Sequence, residues 1–174
     1  MKPLLCCLVL VLTALPALGQ APAPAGTPAV GMLRTSLGGV KAYITKAADQ
    51  VIEADYAFKP TPEVRSFGQL IAHIAEGNYM ICAAVLGETA PAAGIEEKTT
   101  AKADLVAVLK SSFEYCDKAY ALSDEESFEA VRLFGKERPR FAGLLINVAH
   151  DWEHYGNIVT YMRLKGMVPP SSQP

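Results

Sequence analysis

The fold of this chain is decided by residues 140–165, which read RFAGLLINVAHDWEHYGNIVTYMRLK. Pro139 stands just before this segment and suits the first turn of a helix, where no backbone N–H is needed. Gly166 ends the segment, and Pro169–Pro170 cannot continue a helix. The sequence therefore predicts a long last helix from about Arg140 to Lys165.

Two of the three histidines of the chain, His150 and His154, lie in this helix at positions i and i+4. They stand about 40° apart on the helical wheel, one turn above the other, so both imidazoles can bind one metal ion. The rest of the stripe, which a bundle would normally bury, is small or polar: Gly143, Asn147, Asn157 and Tyr161. A bundle core does not bury so many polar groups without partners or a function.

A second predicted helix carries the third histidine. Ser66 is a good N-cap, residues 67–86 form the helix, and Gly87 ends it. His73 lies on this helix, and its neighbours on the wheel are Gln69, Glu76, Gly77, Met80 and Ala84. A histidine on a facing helix is what a three-histidine metal site would need.

The remaining segments complete a bundle. Apolar residues at three- and four-residue spacing predict helices over residues 30–52 and 102–122, with a loop over 88–100. Ser123 begins a short helix, and residues 128–137 are predicted to be irregular, with no convincing strands. Four long amphipathic helices predict an all-α, antiparallel four-helix bundle over residues 30–174.

The N-terminus has a different character. Residues 1–19 combine Lys2, an apolar run of about 12 residues and a small-x-small site, which is typical of a cleaved secretory signal peptide. An uncleaved anchor is the alternative, but the run is short for a membrane span. The Ala/Pro-rich residues 20–29 are predicted to be a spacer. We therefore expect an exported protein without stable membrane association after cleavage.

Composition excludes one class of partner. The chain has 174 residues, 51% of them hydrophobic, and a formal net charge of −2. A protein that binds nucleic acid needs a basic surface, so no nucleic-acid partner is expected. The length suits one domain. The partner expected for its candidate metal site is a small-molecule substrate.

Two cysteines, Cys82 and Cys116, remain after removal of the signal peptide. Both fall on apolar faces of consecutive predicted helices, so antiparallel packing could bring them together. In an oxidising compartment they would form a disulfide, and the alternative is two buried thiols.

Two stretches resemble a known family. Residues 65–79, RSFGQLIAHIAEGNY, resemble the second helix of DinB-like (DinB/YfiT superfamily) proteins. Residues 147–166, NVAHDWEHYGNIVTYMRLKG, resemble their last helix, with Gly156–Asn157 where Gly-Gln is commoner. The resemblance covers about residues 33–172.

This resemblance implies a four-helix bundle with a long crossover and a three-histidine divalent metal site. His73, His150 and His154 match the family's ligand positions, and Zn, Ni, Mn and Fe are all candidate metals. Characterised relatives include transferases and isomerases that use low-molecular-weight thiols, and related bundles often form homodimers. Most relatives are cytoplasmic, so a signal peptide departs from the family.

Two functions follow from these observations. The first is a metal-dependent enzyme, hydrolase-like or a thiol S-transferase, in which Glu76 and then Asp151 are the candidate catalytic bases. The second is a non-catalytic exported protein that binds a metal or a small ligand. A metal with open coordination positions facing a cleft would favour the enzyme.

Overall fold

The structure is a computed structural model that describes residues 28–174. The predicted signal peptide, residues 1–19, lies outside the described residues, as does the predicted spacer apart from its last two residues. The helices are α1 (Ala29–Gln50), α2 (Phe67–Leu86), α3 (Ile95–Lys98), α4 (Lys102–Ala119), α5 (Asp124–Ser127) and α6 (Arg140–Leu164). Short 3₁₀ turns cover Glu53–Asp55 and Pro170–Ser172. Within residues 28–174, no helix combines the length and apolar character needed to cross a membrane.

Local sequence signals set the ends of α2 as expected. The Ser66 side chain accepts from the Gln69 backbone N–H, and the Gln69 side chain accepts from the Ser66 backbone N–H. This reciprocal pair satisfies two N–H groups that a helix start leaves free. At the other end, Gly87 adopts a left-handed conformation (φ 75°) that a residue with a Cβ rarely takes.

The four long helices form a ring in which α1 and α2 lie diagonally opposite each other. Helix α2 packs against α4 and α6, and α1 packs against the same two helices. The interior is filled by fully buried apolar side chains, the largest of which include Leu37, Ile44, Ile71, Ile74, Leu109, Phe113, Leu144 and Ile158. The predicted helical bundle is therefore confirmed.

The direction of the helices follows from side chains that meet across them. Gly77 lies beside His150, and Val85 lies beside Gly143, so α2 and α6 are antiparallel. Asn78 of α2 contacts Ser112 of α4 at 3.3 Å, and four residues later in both helices Cys82 contacts Cys116. Because the residue numbers increase together, α2 and α4 run parallel. Residues 87–101 form the long crossover that joins α2 to α4.

The parallel pair is held by a disulfide between Cys82 of α2 and Cys116 of α4, with Cα atoms 5.3 Å apart. Of the two alternatives predicted, a disulfide and two buried thiols, the structure has the disulfide. The expected antiparallel packing of these helices was wrong, because the crossover returns the chain to the start of the bundle before α4 begins.

One expectation about the chain before α6 was also wrong. Strands β1 (Ala130–Leu133) and β2 (Lys136–Pro139) form an antiparallel hairpin in a region predicted to be irregular. All four residues of β2 are exposed, so no alternation of apolar and polar residues marks it in the sequence. The buried side chain of Leu133 anchors the hairpin to the bundle.

Candidate metal centre

The structure brings the three histidines together between α2 and α6. His73 Nε2 lies 3.3 Å from His150 Nε2, which lies 3.1 Å from His154 Nε2. One ring nitrogen from each histidine lies within 4.8 Å of the others. Two imidazoles that bind one metal ion at 2.0–2.1 Å have nitrogens about 2.9–3.4 Å apart, so the observed spacing suits a shared ion.

The second ring nitrogen of each histidine faces a different neighbour. His73 Nδ1 lies 3.2 Å from a carboxylate oxygen of Glu96. His150 Nδ1 lies 3.6 Å from Asp151 and has no hydrogen-bond partner among the described residues. His154 Nδ1 lies 3.4 Å from the Asn157 amide.

These contacts fix where the proton of His73 sits. An ionised carboxylate only accepts hydrogen bonds, so the nitrogen facing Glu96 carries the proton and Nε2 presents a lone pair. His150 Nδ1 makes no such hydrogen bond, but the negative charge of Asp151 at 3.6 Å favours the proton on this nitrogen. Two lone pairs then point at each other across 3.3 Å, an arrangement that a bound cation would stabilise.

The surroundings also favour neutral imidazoles, which are the form that binds a metal. Burial, followed by the charges of His150 and His73, lowers the pKa of His154 to about 4. Burial and the Arg65 charge lower the pKa of His73, although Glu96 acts in the opposite direction. Neither group needs to lose a proton at neutral pH before it can coordinate.

Gly77 makes the approach of the two helices possible. A Cβ at this position would lie 2.6 Å from His150 Cε1 and 3.1 Å from its Nε2. Contacts this close force something to move, so any larger residue would displace His150 from the other two rings.

A cleft of about 1270 Å³ opens beside the centre. His73 and His150 line it, whereas His154 is buried and does not. Its other lining includes Ser66, Gln69, Met80, Glu97, Phe134 and Ile146. The centre therefore has one side in the protein interior and one side facing a space that a small molecule could enter.

Glu76, a predicted catalytic base, lies in this cleft but is already engaged. Its two carboxylate oxygens accept from the backbone N–H groups of Gly94 (2.7 Å) and Glu96 (3.2 Å). Burial alone would raise the pKa of Glu76, but these backbone hydrogen bonds outweigh it and hold the pKa below the usual value. Glu76 thereby fastens the crossover to α2.

Asp151, the other predicted base, is fully buried and does not line the cleft. Burial raises its pKa to about 6, although the neighbouring His150 acts against this shift. The amide of Asn78 donates to its two oxygens at 3.3 and 3.2 Å when the amide nitrogen faces them. Asn78 also lies 2.7 Å from Asn147, which in turn lies 2.9 Å from the Tyr120 hydroxyl.

We name this cluster the buried polar network: Asn78, Ser112, Tyr120, Asn147 and Asp151. It explains why α6 carries Asn147 on the face that a bundle normally fills with apolar residues, because the amide has polar partners on α2 and α4.

The sequence model of the DinB superfamily matches residues 37–158. This chain belongs to the DinB superfamily. The match spans most of the bundle and includes all three histidines, so the resemblance noted in the sequence is confirmed. None of the curated proteins is similar enough in sequence to count as a match.

Solved structures of this superfamily share the fold. A DinB-like protein from Bacillus cereus aligns with a TM-score of 0.71 and 16% identity, over 79% of this chain and 93% of its own. A DinB-like protein from Bacillus subtilis aligns with a TM-score of 0.66 and 20% identity, over 82% of this chain and 98% of its own. A mycothiol-dependent maleylpyruvate isomerase aligns with a TM-score of 0.58 and 18% identity, over 76% of this chain and 65% of its own.

Sequence reasoning missed two residues at the centre of this DinB superfamily member, Glu96 and Arg65. Glu96 lies in the crossover and contacts His73 with one oxygen, while its other oxygen lies 2.8 Å from Arg65 Nε. Glu96 is 23 positions from His73 in the chain, and nothing in a loop predicts where a particular carboxylate will lie. The sequence signal that exists is indirect: Glu76, on the helical face of His73, holds the crossover in place.

Proposed function

We propose that His73, His150 and His154 hold a divalent metal ion, with Zn, Ni, Mn and Fe as candidates, and that the protein is a metal-dependent enzyme acting on a small molecule. The observation that carries this proposal is the convergence of three Nε2 atoms, 3.1 and 3.3 Å apart along the two measured pairs, at the wall of a cleft. Three protein ligands leave coordination positions free, which is typical of catalytic rather than structural sites.

A metal bound there would supply a Lewis acid that lowers the pKa of a coordinated water or thiol. The residues around the metal would hold its histidine ligands in the correct orientation. Glu96 accepts from His73 Nδ1 and so holds that ring with Nε2 toward the centre, and the Arg65 guanidinium fixes Glu96 in turn. Glu76 keeps the crossover, and with it Glu96, at this distance from α2.

We assign Asp151 a similar role on the other helix. Its buried carboxylate lies 3.6 Å from His150 Nδ1 and is held by the Asn78 amide. From that position it compensates part of the charge that a metal brings into the interior and favours the tautomer of His150 that coordinates through Nε2.

The proposed reaction class is hydrolysis or transfer of a thiol group. The cleft beside the centre favours an enzyme over a binding protein whose metal is enclosed by ligands. Structural similarity to a mycothiol-dependent isomerase supports thiol chemistry as one of the two candidates. At 18% identity, that similarity concerns the fold, so the reaction stays a proposal.

We further propose that the protein is exported and its signal peptide removed. The buried disulfide between Cys82 and Cys116 supports this, because disulfides persist in oxidising compartments and are rare in the cytosol. An exported enzyme would need a thiol or another substrate that is present outside the cytosol.

Metal analysis of the purified protein after reconstitution with zinc tests the proposal. The wild type is expected to hold one metal ion per chain, and His73→Ala and His150→Ala are expected to lose it. Glu153→Ala, at an exposed position next to His154, is the matched control and should retain the metal. A wild type without stoichiometric metal would refute the proposal, and metal that survives both histidine substitutions would refute the ligand assignment.

The cobalt-substituted protein distinguishes the two reaction classes. Addition of 2-mercaptoethanol should produce a sulfur-to-cobalt charge-transfer band in the near ultraviolet if the open positions accept a thiol. A d–d spectrum that the thiol leaves unchanged would favour the hydrolase-like alternative.

A further inference from the structure

Three large apolar side chains are exposed at one end of the cleft. Met80 of α2 is 50% exposed, Phe134 at the hairpin turn 54% and Ile146 of α6 39%. They come from three different elements, yet all of them line the same cleft as His73 and His150. A single exposed apolar residue is common on protein surfaces, but several that converge beside polar groups in a concave site are typical of ligand binding.

Helix geometry places this group close to the centre. Gly77 lies level with His150, and α2 and α6 are antiparallel, so Met80 and Ile146 lie at nearly the same height. Ile146 precedes His150 by four residues, which is about 6 Å along the helix axis. The apolar end of the cleft therefore begins about one helical turn from the metal centre.

The opposite end of the cleft is mixed, because Tyr56 and Leu105 line it near Gly68 beside the polar residues. The polar residues of the α2 wall at this end are Ser66 and Gln69. Along α2 the lining thus changes from polar through His73 to apolar at Met80. A wall with this order, with the metal ligand His73 between its polar and apolar parts, suits a molecule that carries an apolar chain next to a metal-binding head.

The backbone at Phe134 gives an independent indication. Phe134 and Gly135 form the turn between β1 and β2, and both have positive φ values, 49° and 79°. Asn, Asp and Gly favour the first position of such a turn, whereas a bulky residue with φ above zero is an outlier. The turn itself gives no reason for a phenylalanine, but its position in the cleft does.

We propose that Met80, Phe134 and Ile146, the apolar arm, bind the alkyl or aryl chain of an amphipathic substrate whose metal-binding head lies at His73 and His150. This inference rests on the proposed metal-dependent function. It names the substrate class of that site: a small molecule with an apolar chain attached close to the reacting group.

The test is calorimetric binding of n-alkyl hydroxamic acids with two to eight carbons to the zinc-loaded protein. In the wild type, the dissociation constant is expected to fall about fourfold for each added methylene that enters the arm. In Phe134→Asn this dependence on chain length should fall to less than half. Asparagine suits the turn, so the variant should melt at or above the wild-type temperature.

Phe128→Asn is the matched control, because Phe128 is 61% exposed and does not line the cleft. It should keep the wild-type dependence on chain length. Affinity that does not change with chain length in the wild type, or that changes equally in Phe134→Asn, would overturn the apolar arm.

Failure of the metal proposal would be recognised separately. In that case the two-carbon hydroxamate would bind no better to zinc-treated wild type than to zinc-treated His150→Ala. Binding of an alkyl chain by the apolar arm would then be tested with n-alkanols, which lack a metal-binding head. The measured quantity is the shift of the Met80 methyl resonance in ¹³C-methionine-labelled protein. The shift should grow with chain length in the wild type and be lost in Phe134→Asn, and its absence from the wild type would overturn the arm.

Discussion

Two clusters of polar side chains lie where α2 faces its neighbours, and their polar atoms are satisfied in different ways. In the buried polar network, amide, hydroxyl and carboxylate groups meet as donors and acceptors, for example the Tyr120 hydroxyl, which donates to the Asn147 amide oxygen at 2.9 Å. In the histidine cluster, three ring nitrogens of the same kind meet one another. The first cluster is complete without a ligand, and the second would be completed by a cation.

The difference teaches how to separate a structural polar cluster from a binding site. Four residues of the network, Asn78, Ser112, Asn147 and Asp151, are fully buried and lie in the interior of the bundle. His73 and His150 are partly exposed at the cleft. Asp151 belongs to the network but also faces His150. Substitutions at the other interior residues should therefore lower stability and leave metal affinity unchanged, and substitutions at the centre should do the reverse.

The largest effect is expected in the interior, from removal of the disulfide. In the double variant Cys82→Ala/Cys116→Ala, the free energy of unfolding should fall by about 3–4 kcal/mol, because the cross-link closes a loop with a sequence separation of 34. Zinc affinity should stay within about twofold of the wild type. Urea denaturation and competition with a chelator measure the two quantities, and a large loss of affinity would show that the two regions are not independent.

Gly77→Ala should have the opposite outcome. A Cβ placed 2.6 Å from His150 Cε1 forces that ring away, so zinc affinity should fall about 100-fold, or roughly 2.7 kcal/mol. Stability without metal should not fall, because alanine favours a helix over glycine by about 1 kcal/mol. Gly156→Ala on α6 is the control, since a Cβ there meets nothing within 4 Å. Unchanged affinity in Gly77→Ala would contradict the proposed position of His150.

Asn147→Ala probes the network directly. The substitution removes a partner of Asn78 and of Tyr120 and should lower the free energy of unfolding by about 1–3 kcal/mol. Glu153→Ala, at an exposed position of the same helix, should change it by less than about 0.5 kcal/mol. Thermal and urea denaturation measure the free energy of unfolding of both variants. Equal values would mean that the buried polar network contributes little to stability.

The smallest effect is expected from Glu96→Gln. Loss of the carboxylate that accepts from His73 Nδ1 should weaken zinc binding about 10-fold, with little change in stability. Glu97→Gln, its exposed neighbour in the cleft, should bind zinc as the wild type does. If both variants weaken binding equally, the general negative charge of the cleft is responsible, and Glu96 has no positioning role.

The parts of this molecule that local chemistry determines were predictable from the sequence. Helix α2 begins after Ser66, whose side chain pairs with Gln69, and ends before Gly87, as these residue types indicate. The spacing of His150 and His154 placed two rings on one face of α6, and helix geometry alone requires this. The helix pattern was sufficient for the bundle, whereas the expectation that His73 joins the other two rings came from the family resemblance as well as from its position on a second helix.

The parts that depend on contacts between distant segments were not predictable in this way. The hairpin over residues 130–139 exists through pairing of two short strands and the burial of Leu133, and its exposed second strand has no pattern of its own. The contact of Glu96 with His73 depends on the path of the crossover. The parallel course of α2 and α4 depends on the same path, which the composition of residues 87–101 does not determine.

The central claim is that the three histidines form one metal site, and anomalous scattering from a zinc-soaked crystal tests it most directly. We predict one strong peak at the zinc absorption edge, about 2.0–2.2 Å from the Nε2 atoms of His73, His150 and His154. The buried polar network should have none. A map without a peak between the three rings, or with zinc bound only at other surface groups, would contradict the account.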